Sequence, residues 1–567
     1  MWILGISELD NDAGAALFNG PDLVAAANEE RFSRKKRHRG VPVLAVRWLL
    51  EEAGIDASEL DRVIVAKPPW SKELRYNNRH LLSYPYWKGS PIPAGERLLS
   101  AAIVFGWRFP RNTADIIDLH GQLQRWLRET ALPPHKVIRV DHHRAHAASA
   151  WCASGFESGL IITCDGQGGG VTASVYRGEG ARIESIHRVR VPHSLGLFYG
   201  AATKALGYKP GRHEGKVTGL AAYDPPDTEA LALCRDLVRN NGVSFSAPHI
   251  YGAYPRMKRI LDRCGPGPFA AAFQTVLEEA VAAYAREWLS RTGAKRVALA
   301  GGVFANVKLN QRIHELDGVE EIFVFPHMAD GGLGWGAAMD HWCHREGRRP
   351  DPIADVYWGP EFSDAEMLNA IERAGIEWTR PDHPEQAVAA MLADDKVVGR
   401  FGGRMEFGPR ALGNRSILYK PTDPSVNDWL NKALHRTEFM PFAPVTLAEQ
   451  AERCYKGLAG AERAAEFMTV TFECTGVMRE KAPAVVHVDG TARPQLIRRS
   501  TNPFYYDIVD HFHRLTGVPS IVNTSFNMHE EPIVCTPDDA IRAFRLGHLD
   551  ALSMGPFICS ATGEARR

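Results

Sequence analysis

The chain has 567 residues, 45% of them apolar and 24% charged, a composition typical of a globular protein too long to fold around one core. Its 67 basic and 67 acidic residues balance, so overall charge gives no reason to expect nucleic acid or an anionic membrane as a partner. Nine cysteines without a Cys-x-x-Cys pair, and the lack of a signal-like or membrane-spanning stretch, predict a cytoplasmic protein with reduced thiols.

The first predicted elements form a β-hairpin. A strand at residues 3–6 is followed by an acidic turn at residues 10–12 and by two further strands up to residue 27. The same order of strands and turns recurs from residue 160, where Asp165 opens a glycine-rich turn at residues 166–170. A repeated hairpin of this kind, able to wrap a phosphate, is typical of an actin-like ATPase fold.

A basic run at residues 31–39 directly follows Glu29 and Glu30. We interpret it as a solvated surface loop that these glutamates partly neutralise. The alternative is a contact with a phosphate group or an acidic substrate.

The next signal is the run of histidines His142, His143 and His146. On a helix, His142 and His146 lie one turn apart on one face, a spacing that can grip a metal ion. The alternative is a histidine pair that lies on the surface or is packed and hydrogen-bonded. Asp165, 19 residues further on, ends an apolar strand and opens the glycine-rich turn, where backbone N–H groups can meet phosphate. Together these elements favour a metal ion beside a nucleotide.

Two more strands end in glycine pairs. Gly301 and Gly302 follow a predicted strand at residues 297–300, and a second pair follows Asp330 after a strand at residues 322–325. Glycines at such junctions let a nucleotide approach the backbone closely.

A charged, proline-bearing stretch at residues 346–352 marks a predicted domain boundary. Beyond it, residues 403–416 combine three arginines with glycines and a serine. Arginine side chains match a dianionic phosphate bidentately, so this segment is a candidate phosphate site. A structural arginine network is the alternative.

Several long motifs together resemble the NodU/CmcH carbamoyltransferases, which O-carbamoylate antibiotics, other secondary metabolites and nodulation factors. The resemblance runs from about residue 3 to about residue 555. It implies an α/β protein with an actin-like (ASKHA) duplicated N-terminal domain at residues 1–350 and a YrdC-like α/β C-terminal domain at residues 351–567. The motifs that carry it lie, in the expected order, at residues 141–150, 214–221, 404–417, 436–444 and 523–527.

The resemblance implies two coupled reactions. The C-terminal domain would make carbamoyl adenylate from carbamoyl phosphate and ATP, with Mg²⁺ accompanying the ATP. The N-terminal domain would then pass the carbamoyl group to a hydroxyl of a small-molecule acceptor. Aromatic loops at residues 84–87 and 251–254 are candidates to line the acceptor pocket, although ordinary loop packing explains them equally well.

The resemblance also implies a metal site formed by His142, His146, Asp165 and Asp330, with His143 as a competitor for the first ligand position. Imidazole and carboxylate donors suit iron(II), manganese or zinc rather than calcium, and iron(II) is the leading choice. The implied nucleotide contacts in the N-terminal domain are Gly166, Gly168, Glu214, Lys216, Gly301, Gly302 and Asn306. The implied contacts to carbamoyl phosphate and ATP in the C-terminal domain are Arg404, Arg415, Arg436, Arg493, Ser525 and Asn527.

The first hairpin departs from the family pattern. Asn11 replaces a histidine that is a candidate general base, and Gly14 replaces a serine. Asparagine cannot accept a proton at neutral pH. Asp12, His143 or the environment of the acceptor itself would therefore have to act as the base, or the hairpin would only position groups.

A second departure lies near residue 436. Some family members have a lysine and an arginine where this chain has Leu434 and Met440, and Lys432 is a candidate to supply the missing charge.

Three other functions compete with carbamoyl transfer. An actin-like sugar kinase would release ADP and would leave the C-terminal domain unexplained. A tRNA threonylcarbamoylation enzyme would be expected to carry a basic RNA-binding surface. A nucleotide-binding regulatory module without turnover would be compatible with the loss of the hairpin histidine.

Overall fold

The computed structural model describes residues 1–7, 9–75, 92–104, 106, 109–130, 132–247, 250–434 and 439–560. The chain divides into two compact units. The N-terminal unit consists of Met1–Val24 and Arg39–Pro352, and the C-terminal unit of Ala25–His38 and Ile353–Arg567.

The N-terminal unit is built on two five-stranded sheets with one topology. The first sheet has the strand order β3-β2-β1-β4-β5, and the second has the corresponding order β8-β7-β6-β11-β12. The strands are β1 (Trp2–Ile6), β2 (Gly14–Asn19), β3 (Asp22–Asn28), β4 (Arg62–Val65), β5 (Val137–Arg139), β6 (Ser158–Gly168), β7 (Val171–Glu179), β8 (Arg182–Arg190), the short separate pair β9 (Arg239–Asn240) and β10 (Phe245–Ser246), β11 (Arg296–Ala300) and β12 (Glu321–Val324).

The two sheets confirm the predicted duplication. In each, a hairpin of antiparallel strands leads into two parallel strands: β4 pairs with β1 and β5 with β4, as β11 pairs with β6 and β12 with β11. The loops after β1, β4 and β5 therefore leave from one edge of the first sheet. The loops after β11 and β12 leave from the equivalent edge of the second, where ligands bind in open α/β sheets.

Two helices of the N-terminal unit pack unusually closely. A Cβ atom at Gly336 would lie 2.1 Å from the carbonyl oxygen of Ala145, so only glycine permits this approach. Ala145 lies on the helix His142–Ser154 and Gly336 on the helix Leu333–Glu346. The helices in chain order are α1 (Glu29–Ser33, part of the C-terminal unit), α2 (Val43–Ala53), α3 (Ala94–Ile103), α4 (Phe109–Glu129), α5 (His142–Ser154), α6 (Leu195–Ala205), α7 (Glu214–Leu220), α8 (Thr228–Leu237), α9 (Tyr254–Cys264), α10 (Pro266–Thr292), α11 (Val307–His314) and α12 (Leu333–Glu346). Short 3-10 helices lie at Ala57–Glu59, Pro134–Lys136, Gly302–Ala305 and Asp330–Gly332.

The C-terminal unit contains a mixed eight-stranded sheet and a three-stranded sheet, so both units have the predicted α/β class. The large sheet has the order β13-β23-β22-β14-β15-β21-β16-β20, and the small one β17-β18-β19. The strands are β13 (Trp378–Thr379), β14 (Val398–Phe401), β15 (Arg415–Tyr419), β16 (Ala443–Leu447), β17 (Tyr455–Lys456), β18 (Phe472–Cys474), β19 (Thr491–Ala492), β20 (Gln495–Ile497), β21 (Ser520–Ser525), β22 (Ala551–Met554) and β23 (Phe557–Ser560). The helices are α13 (Asp364–Arg373), α14 (Pro384–Ala393), α15 (Val426–Ala433), α16 (Ala451–Cys454), α17 (Glu462–Ala465), α18 (Gly476–Lys481), α19 (Pro503–Thr516) and α20 (Pro537–Leu546), with 3-10 turns at Ala448–Gln450 and Pro483–Val485.

The prediction of a solvated basic loop is only partly correct: Lys35 and Arg39 are exposed, but Arg31 is buried, and Ala25–His38 folds with the C-terminal unit. Arg31 is buried, donates a hydrogen bond to the carbonyl of Gly408 at 2.8 Å and pairs with Glu30 at 3.1 Å. Arg34 donates to the carbonyls of Pro532 and Ile533. The guanidinium groups of Arg31 and Arg34 hold this segment in the C-terminal unit. The predicted division at residue 350 had assigned the segment to the N-terminal domain.

Within the part of the chain that the structure describes, no helix is both long enough and apolar enough to span a membrane.

Candidate active site

Four side chains converge at the sheet edges of the N-terminal unit: His142, His146, Asp165 and Asp330. Their candidate ligand atoms all lie within 4.8 Å of one another. Asp165 Oδ2 is 3.1 Å from His146 Nε2 and 3.7 Å from His142 Nε2. Asp330 Oδ1 is 3.6 Å and 3.8 Å from the same two nitrogens. We call these four residues the His/Asp cluster.

Local sequence explains how each member of the His/Asp cluster is placed. The Asp141 carboxylate accepts a hydrogen bond from the backbone N–H of Arg144 and so caps α5. His142 and His146 then stand one turn apart on that helix, close to the end of β5. Asp165 lies within β6, and Asp330 opens the 3-10 turn that leads into α12.

The donor set of the His/Asp cluster fits a divalent metal ion. Oδ1 of Asp330 is buried and accepts no hydrogen bond within the described residues, although a buried carboxylate oxygen normally has a partner. Burial by itself would raise the pKa of the Asp165 carboxyl, but the adjacent imidazoles of His142 and His146 hold that pKa well below its usual range. Two carboxylates and two imidazoles facing one point suit a transition-metal ion.

The glycines after Asp165 serve different purposes. A Cβ atom at Gly168 would lie 2.1 Å from the imidazole ring of His142, so this glycine makes room for a member of the His/Asp cluster. At Gly166 no described atom lies within 4 Å of the Cβ position. The sequence predicted nucleotide contacts at both positions; the structure shows that Gly168 is also needed for packing.

The structure places His142, rather than His143, in the His/Asp cluster. The His143 ring is fully buried, and its Nδ1 lies 2.8 Å from the hydroxyl of Thr163. Burial, with a smaller effect of the neighbouring histidines, lowers its pKa to about 3. His143 is therefore neutral at physiological pH, and its predicted role as a base stays a prediction.

Asn11 and Asp12 lie in the β1–β2 connection, and both are partly exposed. Asp12 has a left-handed backbone with φ of 47°, and its carbonyl accepts a hydrogen bond from the hydroxyl of Ser7. The connection thus presents both side chains at the edge of the first sheet.

The predicted nucleotide residues after β11 also have structural tasks. Gly301 has φ of 108°, and a Cβ atom there would lie 2.2 Å from the carbonyl oxygen of Cys164. The backbone N–H of Gly302 donates to Asp165 Oδ2 at 3.1 Å. The Asn306 side chain caps α11 by accepting from the N–H of Leu309. These contacts tie the glycine pair to the His/Asp cluster.

Glu214 and Lys216 lie together on the short helix α7. The Glu214 carboxylate accepts from the N–H of Gly211, and the buried ammonium of Lys216 lies over the ring of Tyr208, 5.6 Å from its centroid.

A buried hydrogen-bond network that the sequence reasoning missed links α7 to Asn306. The Tyr199 hydroxyl lies 3.1 Å from the hydroxyl of Thr218 on α7 and donates to Gln274 Oε1. The amide of Asn306 donates to the same oxygen at 2.8 Å. Thr218 falls inside the quoted motif at residues 214–221, but nothing in the sequence marks Tyr199 or Gln274.

In the C-terminal unit, residues 403–416 form what we call the arginine loop. Arg415, at its end, is fully buried and donates to the carbonyls of Gly402, Gly403, Asn414 and Pro360. Burial lowers the pKa of its guanidinium to about 10, so it stays charged at neutral pH. Arg415 thus behaves as the structural arginine that the sequence left open as the alternative.

Glu406, which the sequence reasoning also missed, organises the arginine loop. Its buried carboxylate accepts backbone N–H bonds from Leu412, Asn414 and Arg415 at 2.7, 2.9 and 3.2 Å. A carboxylate in the middle of an arginine-rich motif is a signal that could have been weighed, because such a group must be paired when it is buried.

The other predicted phosphate residues belong to the arginine loop itself or to other elements of the C-terminal unit. Arg404 is partly exposed and donates to the carbonyl of Trp358 at 3.2 Å, while Arg493 lies between β19 and β20. Ser525 stands opposite Ser416 in the pairing of β15 with β21. The amide of Asn527 is buried and donates to two carbonyls of its own turn. Arg436, like the aromatic loop at residues 84–87, lies outside the described residues.

Family models match both parts of the chain. The model described as the carbamoyltransferase N-terminus matches residues 2–339, and the one described as the carbamoyltransferase C-terminus matches residues 389–561. The chain belongs to the carbamoyltransferase family. It is therefore an enzyme, and the resemblance stated from its motifs is confirmed.

Individual relatives align with this carbamoyltransferase over most of its length. An uncharacterised protein of Synechocystis sp. is 31% identical, over 100% of this chain and 97% of that protein. The nodulation protein NolNO of Sinorhizobium fredii is 33% identical, over 97% of this chain and 78% of that protein. The structure of T. kodakarensis HypF aligns with a TM-score of 0.35 and 13% identity over 61% of this chain and 48% of HypF, which is too weak to support an argument.

Proposed function

We propose that this carbamoyltransferase is an ATP-dependent O-carbamoyltransferase that works in two steps. The C-terminal unit first cleaves carbamoyl phosphate with water into carbamate and phosphate. The carbamate then attacks the α-phosphorus of MgATP, which forms carbamoyl adenylate and releases pyrophosphate. The N-terminal unit transfers the carbamoyl group to a hydroxyl of a small-molecule acceptor, releasing AMP. The main support for a transfer site in the N-terminal unit is the His/Asp cluster, in which the buried Oδ1 of Asp330 faces two imidazoles.

His142, His146, Asp165 and Asp330 are proposed to hold a divalent ion, with iron(II) first and manganese or zinc as the other choices. When bound, such an ion polarises the carbamoyl carbonyl or offsets charge on the leaving phosphate, an effect worth several kcal/mol.

The protein's own groups have separate tasks in the transfer step. The backbone of Gly302 orients the Asp165 carboxylate. Glu214, Lys216 and Asn306 are proposed to hold the adenylate. The hydrogen bonds of Tyr199 and Asn306 to Gln274 fix the position of α7 relative to Asn306. Orientation of this kind lowers the barrier because the reacting groups are already placed when the acceptor binds.

In the adenylation step, partly exposed groups of the C-terminal unit are proposed to contact the phosphates. Arg404, Arg493 and Ser525 have this exposure, whereas Arg415 supports the loop from beneath. Guanidinium groups neutralise phosphate charge while carbamate attacks the α-phosphorus, a step that depends mainly on positioning and electrostatics.

One assay tests this function without knowledge of the acceptor. The full chain is incubated with ATP, carbamoyl phosphate, Mg²⁺ and iron(II), and the nucleotide products are separated by chromatography. We expect AMP and pyrophosphate that appear only when carbamoyl phosphate is present. A reaction without carbamoyl phosphate is the control. ADP as the product would indicate a kinase, and no product would contradict the proposal.

A further inference from the structure

A second group of ionisable side chains, largely buried in the N-terminal unit, has no role in the two proposed steps. The Lys67 ammonium is 2.8 Å from Asp10 Oδ2 and 2.9 Å from Glu73 Oε1. The other oxygen of Glu73 is 3.0 Å from Nε2 of His120. We call Asp10, Lys67, Glu73 and His120 the Lys67 chain, because each contacts the next.

Three separate elements hold the Lys67 chain together. Lys67 follows β4, Glu73 lies in a helical turn at residues 70–75, and His120 lies in α4. The Arg139 guanidinium, at the end of β5, donates to the carbonyl of Lys67 at 3.3 Å. Lys67 is therefore fixed through both its ammonium and its backbone.

Burial of the Lys67 chain is energetically unfavourable, so a structural role alone explains it poorly. The Lys67 side chain is 0% exposed and that of Glu73 9% exposed. Removing an ammonium and a carboxylate from water is unfavourable, and their mutual attraction only partly offsets this. Well-packed apolar side chains would stabilise the fold at least as well. A buried ionic group of this kind is a candidate for a functional site.

One end of the Lys67 chain reaches the surface. The Asp10 side chain is 33% exposed, whereas its partner Lys67 is fully enclosed. A buried cation thus holds a carboxylate in one orientation where a ligand can meet it.

That surface lies at the sheet edge that carries the His/Asp cluster. Asp10, Lys67 and His142 follow the ends of β1, β4 and β5, which are adjacent parallel strands. With a strand spacing of about 4.8 Å, the ends of β1 and β5 are on the order of 10 Å apart. Pro68 also lies 3.7 Å from the Cβ position at Gly169, in the same glycine-rich turn as Gly168.

We propose that Asp10 receives the acceptor hydroxyl in the transfer reaction and that Lys67 is the residue that positions it. This inference rests on the proposed function. The acceptor oxygen forms its bond to the carbamoyl carbon while the bond from that carbon to the phosphate oxygen breaks. The electron pair leaves with AMP, and the hydroxyl proton passes to Asp10 and then to solvent.

Asp10 is a carboxylate of the first hairpin, as Asp12 is, and the buried Lys67 ammonium fixes its orientation. It is adjacent to Asn11, the position where the family histidine is missing, and an aspartate can accept a proton where asparagine cannot. His143 is fully buried, so an acceptor cannot reach it without a rearrangement. Asp10 combines exposure with a fixed orientation, the two properties that a base acting on a bound hydroxyl needs.

The test separates the two half-reactions in the full chain, with glycerol as the probe hydroxyl and water as the competing acceptor. Carbamoyl-phosphate-dependent exchange of pyrophosphate into ATP reports adenylation. Release of AMP and formation of labelled carbamoyl glycerol report transfer. In Asp10→Asn we expect transfer to fall by about 10²-fold or more, while exchange continues.

Matched variants keep the result interpretable. Asp22→Asn removes an exposed carboxylate at the start of β3 and should transfer at the wild-type rate. Lys67→Met should raise the KM for glycerol and lower kcat, and Lys67→Arg should restore part of both, which a purely structural role would not predict. Glu73→Gln is a milder variant if Lys67→Met does not fold.

The outcomes distinguish the inference from the proposed function. A wild-type chain without pyrophosphate exchange would overturn the proposed function. Wild-type exchange together with undiminished transfer in a folded Asp10→Asn variant would overturn the role of Asp10 alone. Loss of transfer and exchange together would also contradict it, since Asp10 would then act on the whole protein.

Discussion

The His/Asp cluster and the arginine loop differ in what their polar atoms contact. In the cluster, the side chains turn toward a common point, and Oδ1 of Asp330 has no hydrogen-bond partner within the described residues. In the arginine loop, Arg415 donates to four backbone carbonyls of its own surroundings. The first arrangement leaves bonding capacity for a ligand, and the second uses it within the fold.

This contrast changes how a sequence motif rich in charged residues is interpreted. Arg400, just before the arginine loop, donates to Ser553 and Gly555 and stacks on the ring of Phe504, 3.9 Å from its centroid. An arginine count therefore overstates the phosphate-binding capacity of this region. What matters is which guanidinium groups still reach solvent, as Arg404 and Arg493 partly do.

The largest expected effect is at the His/Asp cluster. His146→Ala removes one of four converging donors, so bound metal measured by mass spectrometry should be lost, and transfer should fall by on the order of 10²-fold or more. Carbamoyl-phosphate-dependent pyrophosphate exchange should persist. His344→Ala, an exposed histidine on α12, is the matched control. Full metal content in His146→Ala would show that the His/Asp cluster does not hold the metal ion.

The next effect contrasts two arginines of the arginine loop. Arg415→Met leaves four carbonyls without their donor, and we expect the C-terminal unit to lose about 3–5 kcal/mol of unfolding free energy in denaturant titrations. Arg404→Met should change stability by less than about 1 kcal/mol but raise the KM for ATP or carbamoyl phosphate. The reverse pattern would show that Arg415, and not Arg404, binds substrate.

His193 lies outside the His/Asp cluster, and burial alone accounts for the shift of its pKa. Burial lowers the pKa of His193 to about 4, so the unfolded chain takes up the proton first as the pH falls. Stability that is fully present above about pH 6.5 should decline down to pH 4, by at most about 3 kcal/mol. Thermal unfolding of wild type and His193→Gln across this range checks the prediction. Equal slopes for the two proteins would refute it.

The smallest effect distinguishes two glycines of one turn. Gly168→Ala pushes against the His142 ring, and we expect metal affinity to fall about 10-fold in calorimetric titrations. Gly166→Ala enters open space and should bind metal as the wild type does. Equal losses in both variants would mean that the turn contributes through its backbone flexibility instead.

Much of the fold could be predicted from the sequence. The duplicated hairpin was visible as a repeated order of strands and turns, because each strand carries its own local pattern. The membership of residues 25–38 in the C-terminal unit was not visible. It depends on contacts such as Arg34 with Pro532 and Ile533, which are nearly 500 residues apart in the chain.

The residues of the candidate site were likewise predictable only in part. His142 and His146 were predicted from their spacing, since one helical turn brings them together. Asp165 and Asp330 joined them through the family resemblance. The Lys67 chain was missed because Asp10, Lys67, Glu73 and His120 are scattered over 110 residues without a shared motif.

Local patterns and long ordered motifs were enough to predict the family, the α/β class and the residue types available for chemistry. Which polar atoms remain available to a ligand depends instead on the three-dimensional fold. A hydrogen bond uses up the capacity of its donor, and whether Arg415 meets a carbonyl or a phosphate depends on what the fold places beside it.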